Sequence, residues 1–292
     1  MSIFKGSGVA IVTPFNDDNT INYPQYEKLI EWHIKEETAA IVVCGTTGET
    51  PTLSEEEKKA LIKFTVEKVA KRVPVIAGTG TNNTEHALEM SKYAESVGVD
   101  GLLVVTPYYN KGTQKGLVKH FNYIADRVNV PIILYNVPGR TGVGMTANTI
   151  FELSKHKNIV AVKEASGSIS LAVEIASLVD EDFYIYSGND DMIVPILSVG
   201  GQGVISVIAN ILPKETNKLV MDYLNGDVKS SMETQLKMKP LADALFIEVN
   251  PIPVKAAMNH MGMEVGTLRL PLTEMEDHNK EVLFQEIKKY IG

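Results

Sequence analysis

A (β/α)8 barrel followed by a C-terminal helical extension is the α/β fold this sequence predicts, and three observations carry the expectation. Eight short runs rich in Val and Ile recur along the 292 residues. Several are apolar on consecutive positions rather than alternating, as parallel strands covered on both faces must be. Their starts fall about every 20 to 34 residues, the length of a strand, a crossover helix and two loops. In order they are GVAIVTP (8–14), AAIVVCG (39–45), VPVIAGTG (73–80), GLLVVTP (101–107), PIILYNVP (131–138), NIVAVKEAS (158–166), FYIYSGND (183–190) and GVISVIAN (203–210). Between them lie helix signals. The clearest is SEEEKKALIKFTVEKVAKRV, where Ser54 and Glu57 form a capping box, with acids in the first turn and bases in the last. TEHALEMSKYAESV (84–97) repeats the theme. An open doubly wound sheet is the main rival, but no GxGxxG follows the first strand and composition does not break in mid-chain. From about residue 212 the strand signal stops, and the remainder reads as helices. We therefore expect a barrel over 1–225 and a helical region over 226–292 packed on it, with no linker between.

Composition narrows the function classes. The chain is 44% hydrophobic and 22% charged, with a formal net charge of -8, which argues against nucleic-acid or anionic-membrane surfaces because both favour basic patches. An anionic substrate remains compatible, since a local pocket can be positive on an acidic protein. The opening MSIFKGSGVAIVTPF reads as a first strand rather than a signal peptide, and no apolar run approaches the roughly 18 residues a membrane helix needs. The expected location is the cytoplasm. Cys44 is the only cysteine, which excludes an internal disulfide and every CxxC site, and it reads as a small buried hydrophobe. The six histidines are scattered, with no HExxH-like pair, so metal binding by His and Cys has little support.

Barrel sites are assembled where the strands leave the C-terminal face. There the sequence places Thr13, the GTTGE turn (45–49), TPYY (106–109), Tyr135-Asn136, Lys163 and SGND (187–190). Hydroxyls dominate, and there is one amine. Lys163 closes an apolar run, which admits two readings. It can reach water or pair with a neighbour such as Glu164; or it is kept dry so that part of its population is neutral amine, able to form a Schiff base with a carbonyl. Tyr135 is either an acid/base or a buried tyrosine bonded to nearby backbone. GTTGE could turn backbone N–H groups toward an anion. Asp190 and Asp191 are expected to cap the following helix, and GGQG (200–203) to form a turn, since it lacks the GK[ST] ending of a phosphate loop.

GTTGE (45–49), TPYYN (106–110), YNVPGRTG (135–142) and VKEASG (162–167) occur in the order and at the spacing of the dihydrodipicolinate synthase family, which the chain resembles from end to end. The resemblance implies a (β/α)8 barrel of the pyruvate-dependent class I aldolases. It also implies condensation of pyruvate with L-aspartate 4-semialdehyde, the committed step toward diaminopimelate and lysine. Lys163 would then be the Schiff-base lysine and Tyr135 the acid/base. Thr46 and Tyr109 would complete a proton relay, the latter reaching into a neighbouring subunit of a homotetramer. Thr47 and its turn would hold pyruvate's carboxylate, Gly188 and Ile205 would offer backbone groups around Lys163, and Arg140 would receive the carboxylate of the semialdehyde. No cofactor or metal is implied. A phenol in water ionises near about pH 10, so neighbouring donors are what would let it exchange protons near neutrality.

Inhibited members of the family bind lysine at a subunit interface. Asn82 and Tyr108 match that site, but Glu55 and Lys58 stand where basic or aromatic residues occur, Pro51 replaces a small residue, and His86 replaces a glutamate that receives the effector's ammonium. Losing that charge-assisted bond is worth about 1.5 to 3 kcal/mol, so weak or absent inhibition is expected. Two other readings remain: a sister aldolase acting on sugar acids, against which Arg140 argues, and a non-catalytic barrel, against which the complete set of catalytic types argues.

Overall fold

The computed structural model describes residues 3–290. Eight parallel strands close on themselves in sequence order: β1 Gly6–Ala10, β2 Ala40–Val43, β3 Val75–Gly78, β4 Gly101–Val105, β5 Ile132–Asn136, β6 Ile159–Glu164, β7 Tyr184–Ser187 and β8 Gly203–Ser206. Closure is made by β1 against β8, with Gly8 opposite Ile205. β2 to β8 each fall within one of the apolar runs, and β1 starts two residues before the first of them, at Gly6.

Why those runs do not alternate is plain from their two destinations. Val42, Ile76, Leu103, Ile133, Ala161 and Ile205 fill the barrel interior, while Ile41, Val43, Ala77, Val104, Ile132, Leu134 and Val162 face the helices in a second, outer core. Successive residues of a strand point to opposite sides, and here both sides are dry. Phe4 and Tyr186 plug the interior, their rings stacked at 4.4 Å with the Tyr186 hydroxyl donating to the Phe4 carbonyl at 2.8 Å.

The expected capping box forms: Ser54 N donates to Glu57 Oε2 at 2.8 Å and Glu57 N to Ser54 Oγ at 3.1 Å, opening the helix Glu55–Val69. The 84–97 segment is the helix Thr84–Ser96, capped by Asn83. Helix Pro213–Leu224 follows β8 and packs on β1 as the last helix of the barrel, and helices Val228–Ala244, Ile252–His260 and Asp277–Ile287 make the C-terminal part. One expectation is corrected there. Residues 263–276 are irregular rather than helical. Gly266, at φ +73, passes so close to Phe15 that a Cβ would lie 2.0 Å from the Phe15 carbonyl oxygen, and this stretch runs as an irregular strap against the segment that follows β1, with Phe15 N donating to the Val265 carbonyl at 3.1 Å.

Two histidines make the fold sensitive to acid. His33 and His120 are buried, each with an Nε2 that has no partner. Burial pushes His33 down to about 3 and His120 down to about 4. Both folded values lie below the unfolded one, so the unfolded chain binds protons first and stability falls as pH drops below about 6.5, by about 1.4 kcal/mol per pH unit for each histidine. Denaturant midpoints measured between pH 7 and pH 5 should fall accordingly, and the His33→Gln variant should flatten the slope. A midpoint independent of pH over that range would contradict it.

Candidate active site

The strand ends bring most of the expected residues together. Tyr135 on β5 and Lys163 on β6 are ladder partners, so their side chains leave the barrel on the same face. Lys163 Nζ lies over the Tyr135 ring, 4.3 Å from its centroid. Both side chains are buried. Among the described residues Lys163 makes neither a hydrogen bond nor an ion pair, and the Tyr135 hydroxyl bonds no backbone group. This removes the reading in which Lys163 pairs with Glu164: that carboxylate points to the other face, accepting from Asn136 Nδ2 at 2.8 Å and from Ser166 N at 2.6 Å. Burial raises the Glu164 carboxyl, only partly offset by those bonds.

Lys255 shows what a structural buried lysine looks like in the same chain. Its ammonium is 1% exposed and donates to Glu49 Oε1 at 2.8 Å and to the Thr267 carbonyl at 2.6 Å, over the ring of Phe15. Burial lowers its affinity for the proton and Glu49 opposes that shift. Lys163 is buried without any such partner.

The GTTGE turn follows β2 with Glu49 at φ 56. Gly48 N and Glu49 N are taken up inside the turn by the carbonyls of Gly45 and Thr46, both at 3.1 Å. Thr13 Oγ1, three residues beyond the end of β1, pins it through the Gly48 carbonyl at 2.8 Å. The amides of Thr46 and Thr47 find no acceptor among the described residues, so two N–H groups remain for an anion, as the turn's composition suggests. Glu49 turns away from the cavity; besides Lys255 it accepts from Arg269 N at 3.0 Å. Arg269 in turn pairs with the capping-box carboxylate of Glu57 at 2.6 and 2.8 Å, which ties the strap to the helix after the turn.

Gly188 leaves β7 against the lysine. A Cβ there would lie 2.5 Å from Ala165 Cβ and 3.1 Å from Lys163 Cε, so a side chain would collide with Ala165 and press on the lysine stem. Asp190 corrects an expectation. Its carboxylate does not cap its own helix but accepts from Ser206 Oγ, Val207 N and Ile208 N at 2.6, 3.0 and 2.9 Å, fixing the exit of β8. Burial raises Asp190, and the positive charge of Lys163 is among the opposing influences.

A small inner cavity of about 60 Å³ is lined by Thr46, Thr47, Tyr135, Arg140, Lys163 and Gly188, among others. It adjoins an outer one of about 460 Å³ that shares Thr46, Tyr135 and Arg140 and reaches Tyr108 and Tyr109. Two expected residues stand apart. Ile205 is buried inside β8 and lines neither cavity, and Tyr109 belongs only to the outer one. Tyr109 sits at φ 71 and is 89% exposed. Within one chain no hydrogen bond among the described residues joins Tyr135, Thr46 and Tyr109. Sequence reasoning missed Asn250, which lines the inner cavity from the C-terminal region, donates through Nδ2 to Thr47 Oγ1 and accepts Arg140 through its carbonyl, both at 3.0 Å. Nothing in VNPIP marks it except a polar residue between apolar ones.

No cluster of three or more His, Cys, Asp or Glu among the described residues could hold a metal ion. Comparison with known proteins points the same way as the geometry. The model of the dihydrodipicolinate synthetase family matches residues 3–290. The chain is 60% identical to the 4-hydroxy-tetrahydrodipicolinate synthase of Thermoanaerobacter sp. (strain X514), over 99% of this chain and 98% of that protein. It is 58% identical to that of Clostridium tetani, over 99% of each. The dihydrodipicolinate synthase structure from Aquifex aeolicus superposes with a TM-score of 0.96 at 45% identity, covering 99% of this chain and 98% of that one. With the closed barrel, the unpaired lysine beside its tyrosine and these full-length matches, the chain belongs to the dihydrodipicolinate synthetase family.

Proposed function

We propose that the chain is a lyase that condenses pyruvate with L-aspartate 4-semialdehyde on Lys163, the 4-hydroxy-tetrahydrodipicolinate synthase reaction of diaminopimelate and lysine biosynthesis. The observation that carries it is the buried amine of Lys163, unpaired and 4.3 Å from the Tyr135 ring. Its nitrogen attacks the pyruvate carbonyl carbon and the carbonyl oxygen leaves as water. The resulting iminium withdraws electrons, so the adjacent methyl group loses a proton and becomes a carbon nucleophile toward the aldehyde. The amino group of the second substrate then displaces Lys163 and closes the ring. Tyr135 moves protons in these steps, with Thr46 and Tyr109 as its relay. Thr47 and the free amides of its turn take the pyruvate carboxylate. Arg140 takes that of the semialdehyde with a planar fork. Gly188 and Ile205 leave backbone around the adduct. Borohydride reduction with pyruvate, followed by peptide mass mapping, should place the three-carbon adduct on Lys163; an adduct elsewhere, or none, would refute the scheme.

The working unit is an oligomer, which we read as a tetramer built from dimers. Two observations support it. Tyr109 lines only the outer cavity and is 89% exposed, which leaves its ring open to a neighbouring subunit. A second apolar surface lies on helices Ile169–Leu178 and Val228–Ala244, which both pack on Ile193–Ser198 and expose Ile169, Val173, Val228, Met232 and Leu236. Within the described residues we read the barrel as ending at 225 and the helical region as starting at 226, with Asn250 of the latter lining the inner cavity. No helix among the described residues is long and apolar enough to cross a membrane, and we place the enzyme in the cytoplasm.

A related structure from Cyanidioschyzon merolae, 38% identical, is of an enzyme with lysine bound. Here His86 Nε2 faces Glu55 Oε2 at 3.2 Å, and Glu55 is also engaged by Lys59. The carboxylate at this place is therefore already spoken for by two basic groups, which supports weak inhibition. An inhibition curve should show no half-loss of activity at submillimolar lysine.

A further inference from the structure

A hydroxyl has one proton, and where it points depends on its neighbours. In the loop around the GTTGE turn, threonine hydroxyls return to backbone carbonyls: Thr13 to Gly48, Thr50 to Cys44 and Thr52 to Glu49. Thr47 differs. Its Oγ1 accepts from Asn250 Nδ2 at 3.0 Å in a buried contact and donates to nothing among the described residues. An amide N–H can only donate, so it occupies a lone pair of Thr47 and leaves the O–H free for another acceptor. The other end of the same amide, Asn250 Oδ1, is shielded from solvent and has no partner. The Asn250 carbonyl meanwhile accepts from Arg140.

We infer that Asn250 is a positioning residue that sets the direction of the Thr47 hydroxyl, so that its proton faces the carboxylate of the keto acid held next to Lys163. The inference rests on the reading of the site given above and deepens it. It follows that the C-terminal region contributes to recognition of the first substrate's charge, through a residue that need not touch that substrate.

Asn250→Asp nearly preserves shape but reverses the bond. A carboxylate only accepts, so it draws the Thr47 proton to itself and adds a negative charge beside the substrate's own. Asn250→Ala removes the donor and leaves the hydroxyl free to rotate. The readout is the pyruvate concentration that half-saturates borohydride trapping at Lys163, with acetone as a ketone lacking the carboxylate, and the thermal midpoint of each variant. Half-saturation should rise roughly thirtyfold or more in Asn250→Asp and about three- to tenfold in Asn250→Ala, with the rate of acetone trapping within about twofold of wild type. Unchanged half-saturation in both variants, with wild type still trapped at Lys163, would overturn the inference alone. So would equal losses toward pyruvate and acetone, the mark of a merely structural role. Should Asn250→Asp fail to fold, the pyruvate-to-acetone comparison in Asn250→Ala decides by the same rule. Failure of wild type to be trapped at Lys163 would overturn the reading of the site and this inference with it.

Discussion

Lys163→Ala is expected to abolish condensation, with turnover falling by at least roughly 10⁴-fold, because no other group can supply the covalent bond on which each later step depends. The same change should cost little stability. Lys163 has no ion pair or hydrogen bond among the described residues, so its removal breaks no bond and takes a buried amine out of an apolar setting. The thermal midpoint should stay level or rise. Lys163→Arg sharpens the test: guanidinium keeps the charge but is not deprotonated in proteins, so it should be as inactive as alanine. Turnover above about 1% of wild type in either variant would refute covalent catalysis at this position.

The Lys255→Met variant should show the opposite balance, a large loss of stability with the chemistry still possible. It leaves the Glu49 carboxylate buried with only the Arg269 amide as donor, and breaking such a pair from one side costs about 3 to 5 kcal/mol. The thermal midpoint should drop on the order of 10 °C. Glu49 also closes the turn that presents Thr46 and Thr47, so the KM for pyruvate should rise while the variant still forms an adduct on Lys163. Adding Glu49→Gln should restore part of the midpoint, since the uncompensated charge is then gone. A midpoint like wild type's in Lys255→Met would mean that the buried pair contributes nothing.

These two lysines also show how far the residues could be read without coordinates. Both sit in apolar surroundings in the sequence, and only Lys163 was singled out, because it ends a strand of a repeating unit. The competing readings at Lys163 and Tyr135 could not be separated from the segment alone. They differ in which way a side chain leaves a strand and what meets it there, and that is a matter of neighbours far away in the chain. Nothing local marks Lys255, Arg269 or Asn250, for the same reason. Their partners lie 110 to 220 residues away, and no local pattern encodes such distances. The irregular strap over 263–276 was read as helical because its conformation answers to Phe15 and Glu57 rather than to its own periodicity.

What the sequence determined by itself was the closed barrel and the list of groups at its mouth. Strand and helix periods are local, repeat eight times, and leave a parallel sheet covered on both faces no simpler solution than closure. What only the tertiary structure decided was which of those groups are paired. A paired buried lysine and an unpaired one look alike along the chain; the difference is whether folding brings a carboxylate into hydrogen-bonding contact, as it does for Lys255 and, among the described residues, does not for Lys163.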